Sequence, residues 1–219
     1  MWAVDRDPWA VDKEQTTSHL NIEVKETSAS VACTLNEIWH SRLPQLNPSN
    51  VWRNKHYICF LFLLDEAVVG TGIWSSPVAR MLSNKTLLEL RRLALSKHCP
   101  KNTATFVLSK MAKAIKQKFP DITTLISYQD TEVHLGTIYK AANWKQSNIS
   151  TGGEWTRKSR GREKVQTTSP KVRWEYQIYK SSNLFKKICG NLLSKLGIIE
   201  VYTLLKQGSH KCLIKIKIL

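Results

Sequence analysis

Residues 86–144 read TLLELRRLALSKHCPKNTATFVLSKMAKAIKQKFPDITTLISYQDTEVHLGTIYKAANW, and the order of elements in this stretch decides the fold. Leu87 to Leu95 is a dense apolar run broken by Glu89, Arg91 and Arg92, suited to a strand buried on at least one face. Lys97 to Thr103 is a polar loop in which Asn102 or Thr103 is placed to cap a helix. In that helix Leu108, Met111, Ala112, Ile115 and Phe119 form an apolar stripe, with Lys110, Lys113, Lys116 and Lys118 mainly outside it. Pro120 stops the helix. Ile122 to Tyr128 predicts a second strand ending at Gln129-Asp130, and His134 to Trp144 a shorter helix. Strand alternation also predicts that Arg91 and Arg92 face opposite sides of the sheet.

Strand, loop, helix and parallel strand make a βαβ unit, whose ligand belongs at the carboxyl ends of the strands. The loop leads into a helix N-terminus, where unpaired N–H groups and the positive end of the dipole bind phosphate. It lacks the glycines of a dinucleotide fingerprint or a P-loop, which argues against both. What survives is a phosphate-bearing cofactor on a less glycine-dependent loop, with coenzyme A as one candidate.

Outward from this stretch, Val31 to Trp39 predicts a helix. Tyr57 to Leu64 and Ala67 to Trp74 predict a hairpin around Asp65-Glu66, with Gly70 and Gly72 marking a bulge. A short strand is expected near Asn21 to Val24. Val172 to Ile178 alternates as a half-buried strand, Leu184 to Leu196 as a basic amphipathic helix, and the ending from Cys212 as an edge strand. These readings divide the chain into a polar arm (1–30), a main domain (31–180) and a basic appendage (181–219). No apolar run approaches a membrane span, and no secretory signal is visible at the N-terminus. Five scattered cysteines without a C-x-x-C pair speak against a disulfide framework and a structural zinc site, so a reducing intracellular setting is expected.

The net charge of +16 is uneven: −3 over residues 1–30, +7 over 31–156 and +12 over 157–219. Such a surface attracts polyanions, although a solvated charged face that keeps the protein soluble has the same composition. Arg157, Lys158, Arg160 and Arg162 sit in a connection, RKSRGREK, suited to following a nucleic-acid backbone.

Several of these segments resemble one family in the right order. They are Trp39-His-Ser-Arg-Leu-Pro, Gly72-Ile-Trp-Ser-Ser-Pro-Val-Ala-Arg, Glu89-Leu-Arg-Arg-Leu-Ala-Leu, Pro100-Lys-Asn-Thr, Ile126-Ser-Tyr-Gln-Asp, and the run from His134 to Trp144. Together they are similar to the Mom family of bacteriophage DNA-modification proteins, relatives of the GCN5-type acyltransferases. The resemblance spans Asn36 to Trp144, with a weaker continuation from Lys171 to Tyr179. It implies an α/β fold of the GCN5-related N-acetyltransferase kind, a mixed central sheet flanked by helices. It also implies acetyl-CoA-dependent modification of adenine in DNA, giving a carbamoylmethyl group on the exocyclic nitrogen. Protection of phage DNA from restriction in the cytoplasm of a bacterial host follows as the role.

From the residues alone His40 is a surface histidine or a base, Asp130 a helix cap or a catalytic carboxylate, and Tyr139 a core residue or an acid. The resemblance makes all three catalytic candidates, with Tyr139 as proton donor to the departing thiolate. It permits iron as a further cofactor, held by His40, Asp130 and His134. By the same analogy Arg92, Lys97, Lys101, Asn102, Thr103 and Ser109 lie on the cofactor side. Arg42 joins the basic connection as a DNA contact, and Trp74, like Trp39 and Trp144, is either core or a platform for a flipped base. Ser41 stands where a tyrosine is expected in many family members. Two other functions share these features: an ordinary N-acetyltransferase acting on an amine, a tRNA or a protein, and a basic nucleic-acid binder without chemistry.

Overall fold

The computed structural model describes residues 18–40, 43, 45–79, 81–152 and 169–179. The chain divides into two units, Met1–Ile178 and Tyr179–Leu219, and all the described residues except Tyr179 belong to the first. The sequence expectations for Arg42, for the 157–164 connection, for the helix at 184–196 and for the strand from 212 lie outside the described residues.

A 3-10 turn at His19–Asn21 leads into strand β1 (Glu23–Thr27) and helix α1 (Ala29–Trp39). Ser28 starts α1 by accepting a hydrogen bond from the Val31 N–H through its hydroxyl. After the single turn α2 (Ser49–Trp52) come β2 (Tyr57–Leu64) and β3 (Ala67–Ser75). Their turn contains no glycine, yet both Asp65 and Glu66 adopt positive φ, 48° and 66°, the twist that a two-residue hairpin requires. Next are β4 (Leu87–Leu95), α3 (Thr103–Lys118), β5 (Thr124–Asp130), α4 (Thr137–Ala141), β6 (Lys145–Ser150) and β7 (Lys171–Gln177). The seven strands form one sheet in the order β1-β2-β3-β4-β5-β7-β6. Only β4 and β5 run parallel; every other pair is antiparallel. None of the described helices is long and apolar enough to cross a membrane.

α1 covers β2, β3 and β4 on one face of the sheet. Between them lies a core of Ala29, Ala32, Cys33, Leu46, Val51, Cys59 and Ile73. α3 covers the other face, where Met111 packs on Phe62 and Trp74 across Gly72. A Cβ at Gly72 would come within 2.5 Å of the Met111 sulfur, so glycine there lets the helix approach the sheet.

Two strand irregularities matter. Phe62 pairs with Gly70 but Leu63 with Val68, so Val69 is an extra residue in β3 beside Gly70, where a bulge was expected. A second bulge was not expected: Ile73 pairs with Arg92 but Trp74 with Leu90, which leaves Arg91 as an extra residue in β4. The bulge breaks the alternation that would have sent Arg91 and Arg92 to opposite faces. Arg91 reaches Ser75 and Glu89, Arg92 sits across from Ile73, and the positive charge of both is felt by Cys33 of α1. Both arginines therefore belong to the α1 side.

The helix predicted from His134 to Trp144 is shorter than expected. Only Thr137–Ala141 is helical, because Gly136 at φ +71° and Asn143 at φ +60° cannot continue a right-handed helix. β6 was not anticipated. Its sequence, KQSNIS, has no apolar alternation, and every residue is exposed on the sheet edge.

Candidate active site

β4 and β5 pair from Leu87 with Thr124 to Leu90 with Ser127 and then part. β4 continues against β3 as far as Leu95, and β5 continues against β7 as far as Asp130. The two parallel strands thus splay at their carboxyl ends. Backbone groups that would have joined them face a wedge instead, and such groups need partners. The Arg91 bulge lies immediately past the last shared pair and adds twist where the strands part.

The loop from β4 to α3 is built without glycine. Ser96 and Cys99 tie it to Val69: the Ser96 N–H donates at 2.8 Å and the Cys99 thiol at 3.2 Å to the same carbonyl. The Thr103 hydroxyl donates to the Pro100 carbonyl at 2.7 Å, and Asn102 takes the left-handed conformation, φ 67°, that glycine supplies in other loops. No side chain caps α3; the Thr103 N–H donates to the Pro100 carbonyl at 3.3 Å, and the N–H groups of Ala104 and Thr105 in the same turn face an anion site. Lys97, Lys101 and Asn102 are exposed around this end, whereas Thr103 is buried. Ser109 is exposed but lies more than one turn further into α3. This is a fitting cradle for a pyrophosphate.

On the α3 side of the wedge stands Tyr139. Its hydroxyl lies 2.8 Å from Oγ of Ser127, the last residue of β5 that pairs with β4. The ring stacks on Trp174 at 5.5 Å and meets Trp144 at 5.5 Å. Burial pushes the phenol above the usual tyrosine value, and the Ser127 hydrogen bond offsets this only in part. The group is a neutral O–H at physiological pH. Its helix is anchored through a relay in which Trp174 Nε1–H donates to Gln129 Oε1 at 2.7 Å and Gln129 Nε2–H donates to the His134 carbonyl. A Cβ at Gly136 would meet Gln129 Oε1 at 2.5 Å and Trp174 Cζ2 at 2.7 Å, besides being strained at φ +71°. Gly136→Ala is therefore expected to cost on the order of 1–3 kcal/mol in urea unfolding.

On the α1 side stand His40 and Arg92. Asn36 and His40 lie one helical turn apart at the end of α1, with His40 as its C-cap. His40 is held below the usual histidine value, first by burial and then by the Arg92 charge; His134 acts in the same direction and a backbone hydrogen bond opposes. The imidazole is neutral at pH 7 and able to accept a proton. Arg92 Nη1 donates to the Arg91 carbonyl at 2.8 Å. Four buried polar atoms here have no hydrogen-bond partner: Asn36 Oδ1, Trp39 Nε1, His40 Nδ1 and Arg92 Nε. Glu89 is buried as well, but its Oε2 accepts the Val78 N–H at 3.0 Å and Oε1 lies 3.7 Å from Arg91 Nε.

Among the described residues, the structure places Lys97, Lys101, Asn102 and Thr103 at the corner from β4 to α3 and Tyr139 beside Ser127, and it corrects three expectations. Trp74 is wholly buried, donating its indole N–H toward the Met111 sulfur at 3.1 Å, and Trp144 is buried beside it, so neither is a platform for a base. The proposed iron ligands do not assemble: no three His, Cys, Asp or Glu side chains among the described residues are arranged to hold a metal ion. The physical reason lies in the turn. His134 is exposed before α4, and Asp130 Oδ1 accepts the Glu132 N–H at 3.0 Å while its carbonyl accepts the His134 N–H at 3.0 Å. The residues present do not fit an iron site. Third, His134 and Tyr139 do not share a helix. Asn36 and Ser127 were missed by sequence reading. Asn36 carried a signal, a polar residue within the stripe of Ala29, Ala32, Cys33 and His40; Ser127 carried none.

Several solved structures that share this fold are acetyltransferases. The ribosomal-protein-S18-alanine N-acetyltransferase from Escherichia coli superposes with a TM-score of 0.52 at 9% identity, over 73% of this chain and 96% of that one. A GNAT family acetyltransferase from Elizabethkingia anophelis, with acetyl-CoA bound, gives 0.52 at 11% identity over 72% and 98%. The yncA protein of Salmonella typhimurium, with its cofactor acetyl-CoA, gives 0.53 at 9% identity over 74% and 96%. No curated protein sequence matches the chain. The splayed mixed sheet is thus the GNAT acetyltransferase fold, as expected. The Mom protein family matches residues 21–191, more than half of the chain, and the chain belongs to that family.

Proposed function

We propose that this protein is an acetyl-CoA-dependent enzyme that modifies the exocyclic nitrogen of adenine in DNA, as its family resemblance implies, and shields phage DNA from restriction. The observation that carries the reading is the parting of β4 and β5 beyond Leu90 and Ser127, with the Tyr139 hydroxyl at the point of divergence. The open N-terminus of α3, with Lys97, Lys101 and Asn102 around it, suits the cofactor's pyrophosphate. When bound, acetyl-CoA supplies an activated two-carbon group as a thioester.

The remaining chemistry falls to the chain. The amino group of adenine is a poor nucleophile because its lone pair is delocalised into the ring, so a base must take a proton as the new bond forms. His40, neutral and partly buried beside Arg92, has the protonation state for this. Tyr139 holds a proton that it can give to a departing thiolate while Ser127 supports the oxygen. Asp130 positions the turn before α4.

The positive charge suits a polyanion, and the family resemblance makes DNA the one chosen here. β6 ends at Ser150 and β7 begins at Lys171; these two residues pair, and Lys171 also pairs with Asp130 at the end of β5. In the sequence, Arg157, Lys158, Arg160 and Arg162 fall between these two strands. Incubation of the protein with acetyl-CoA and adenine-containing DNA, followed by mass spectrometry of the released nucleosides, should reveal a modified deoxyadenosine. Unmodified adenine from a protein that binds acetyl-CoA would leave an amine acetyltransferase or a non-catalytic binder in its place.

A further inference from the structure

The four unpartnered atoms beneath the end of α1 are the least explained feature of the fold. Buried polar groups are nearly always paired, and an orphan costs the full desolvation of the group. Here four lie on two facing elements. Asn36, which is 1% exposed, Trp39 and His40 fall at positions i, i+3 and i+4 of α1. Arg92 comes from β4, where it pairs across from Ile73, a residue that packs with Ala29, Ala32 and Cys33 on the face of α1 that also carries Asn36. Arg92 Nε–H is a donor and Asn36 Oδ1 an acceptor, yet they do not satisfy each other. Their unmet valences are directed to something else.

We infer that Asn36, Trp39 and Arg92 form a subsite for the amino-bearing edge of a nucleobase, with Asn36 as the residue that determines specificity. The inventory fits. Asn36 Oδ1 accepts only, while Trp39 Nε1 and Arg92 Nε donate only. The edge of adenine presents an amino N–H donor beside a ring-nitrogen acceptor, which meets one acceptor and one of the two donors. Guanine and thymine carry a carbonyl oxygen where adenine carries the amino group, and that oxygen would confront Oδ1 as a second acceptor. Cytosine shares adenine's pattern, so the subsite selects the 6-amino edge of adenine and the 4-amino edge of cytosine together, whereas the amino group of guanine sits elsewhere, at C2. Trp39 and His40, unlike Asn36, are only half-buried. The Asn36 carbonyl would also align the amino group toward His40, whose N–H is bonded to the Asn36 main chain at 2.8 Å. This assignment rests on the adenine-modifying reading but is tested apart from it.

The test is binding, read by fluorescence anisotropy with the full chain. One single-stranded oligonucleotide carries a single adenine; the other carries purine, with hydrogen in place of the amino group, at the same position. The protein should prefer adenine by about 10-fold, the usual cost of leaving one buried acceptor unmet. Asn36→Leu, close in volume and without the acceptor, should erase the preference while keeping acetyl-CoA affinity and thermal stability, because the Oδ1 it removes accepts no hydrogen bond. Asn36→Asp, which retains an acceptor, should keep part of it. Equal binding of both oligonucleotides by the native protein overturns the subsite, and so does an Asn36→Leu protein that still discriminates. Loss of stability in Asn36→Leu together with loss of both affinities assigns Asn36 to the fold alone. If the native protein prefers adenine yet never modifies it, the enzymatic reading fails and the subsite stands; if it modifies adenine without the preference, the reverse holds.

Discussion

Tyr139→Phe should lower turnover by about 100- to 1,000-fold, the range for losing a general acid, while acetyl-CoA still binds. The substitution removes one oxygen from a side chain that is 7% exposed and stacked between Trp144 and Trp174, so the ring keeps its packing. What disappears is the phenolic proton beside Ser127, at the point where β4 and β5 part. The structural cost is the partner of Ser127, about 1 kcal/mol in urea unfolding. Ser127→Ala is the companion measurement. It removes the same hydrogen bond, so it should cost similar stability but far less turnover. Equal loss of turnover in both variants would make the pair structural. The phenol's pKa lies above the ordinary tyrosine value, so the protonated form, and with it activity, should persist as pH rises toward 10 and fall only beyond it. Stability has the same sign: this contribution is complete below the unfolded tyrosine value and is lost as pH climbs toward the folded one.

His40→Ala should be of comparable size, a loss of about 100-fold or more in turnover with the cofactor still bound. Its pH signature lies at the opposite end. Burial and the Arg92 charge hold His40 below the ordinary histidine value of about 6.5, so the neutral ring survives into mildly acidic solution. Activity should stay level as pH is lowered to that value and decline only below it. The linked stability is present above the unfolded value and lost as pH falls through the folded one. Arg92→Gln removes the nearer positive charge, so the acid limb should move up in pH. An unmoved limb would show that the titrating group is not His40. Turnover in this variant should fall as well, because Arg92 belongs to the same polar group beneath α1.

Much of this molecule follows from local pattern. Leu87 to Leu95 is a strand over the expected residues, α3 occupies the expected stripe, and Asp65-Glu66 closes the expected hairpin. Side-chain periodicity and a stop at Pro120 are enough for those elements, since each reports on its own neighbours in the chain. The resemblance placed the family and the fold together, because its motifs sit at the strand ends and turns that the fold uses.

The active-site geometry was settled elsewhere. The bulge at Arg91 exists because β3 and β4 fall out of step between Trp74 and Ile73, and no single strand encodes a register. It turned two arginines expected on opposite faces toward one helix. Trp74 looked as available as any tryptophan until Met111 and Gly72 enclosed it. Of the residues expected to hold iron, His40 is distant in sequence from Asp130 and His134, and the turn after β5 gave Asp130 a backbone partner at Glu132. The polar group beneath α1 combines one helical stripe with one bulged strand. Composition, helices and strands were thus legible residue by residue, whereas which side chains meet, and which buried atoms go unpaired, depends on contacts between segments far apart in the chain.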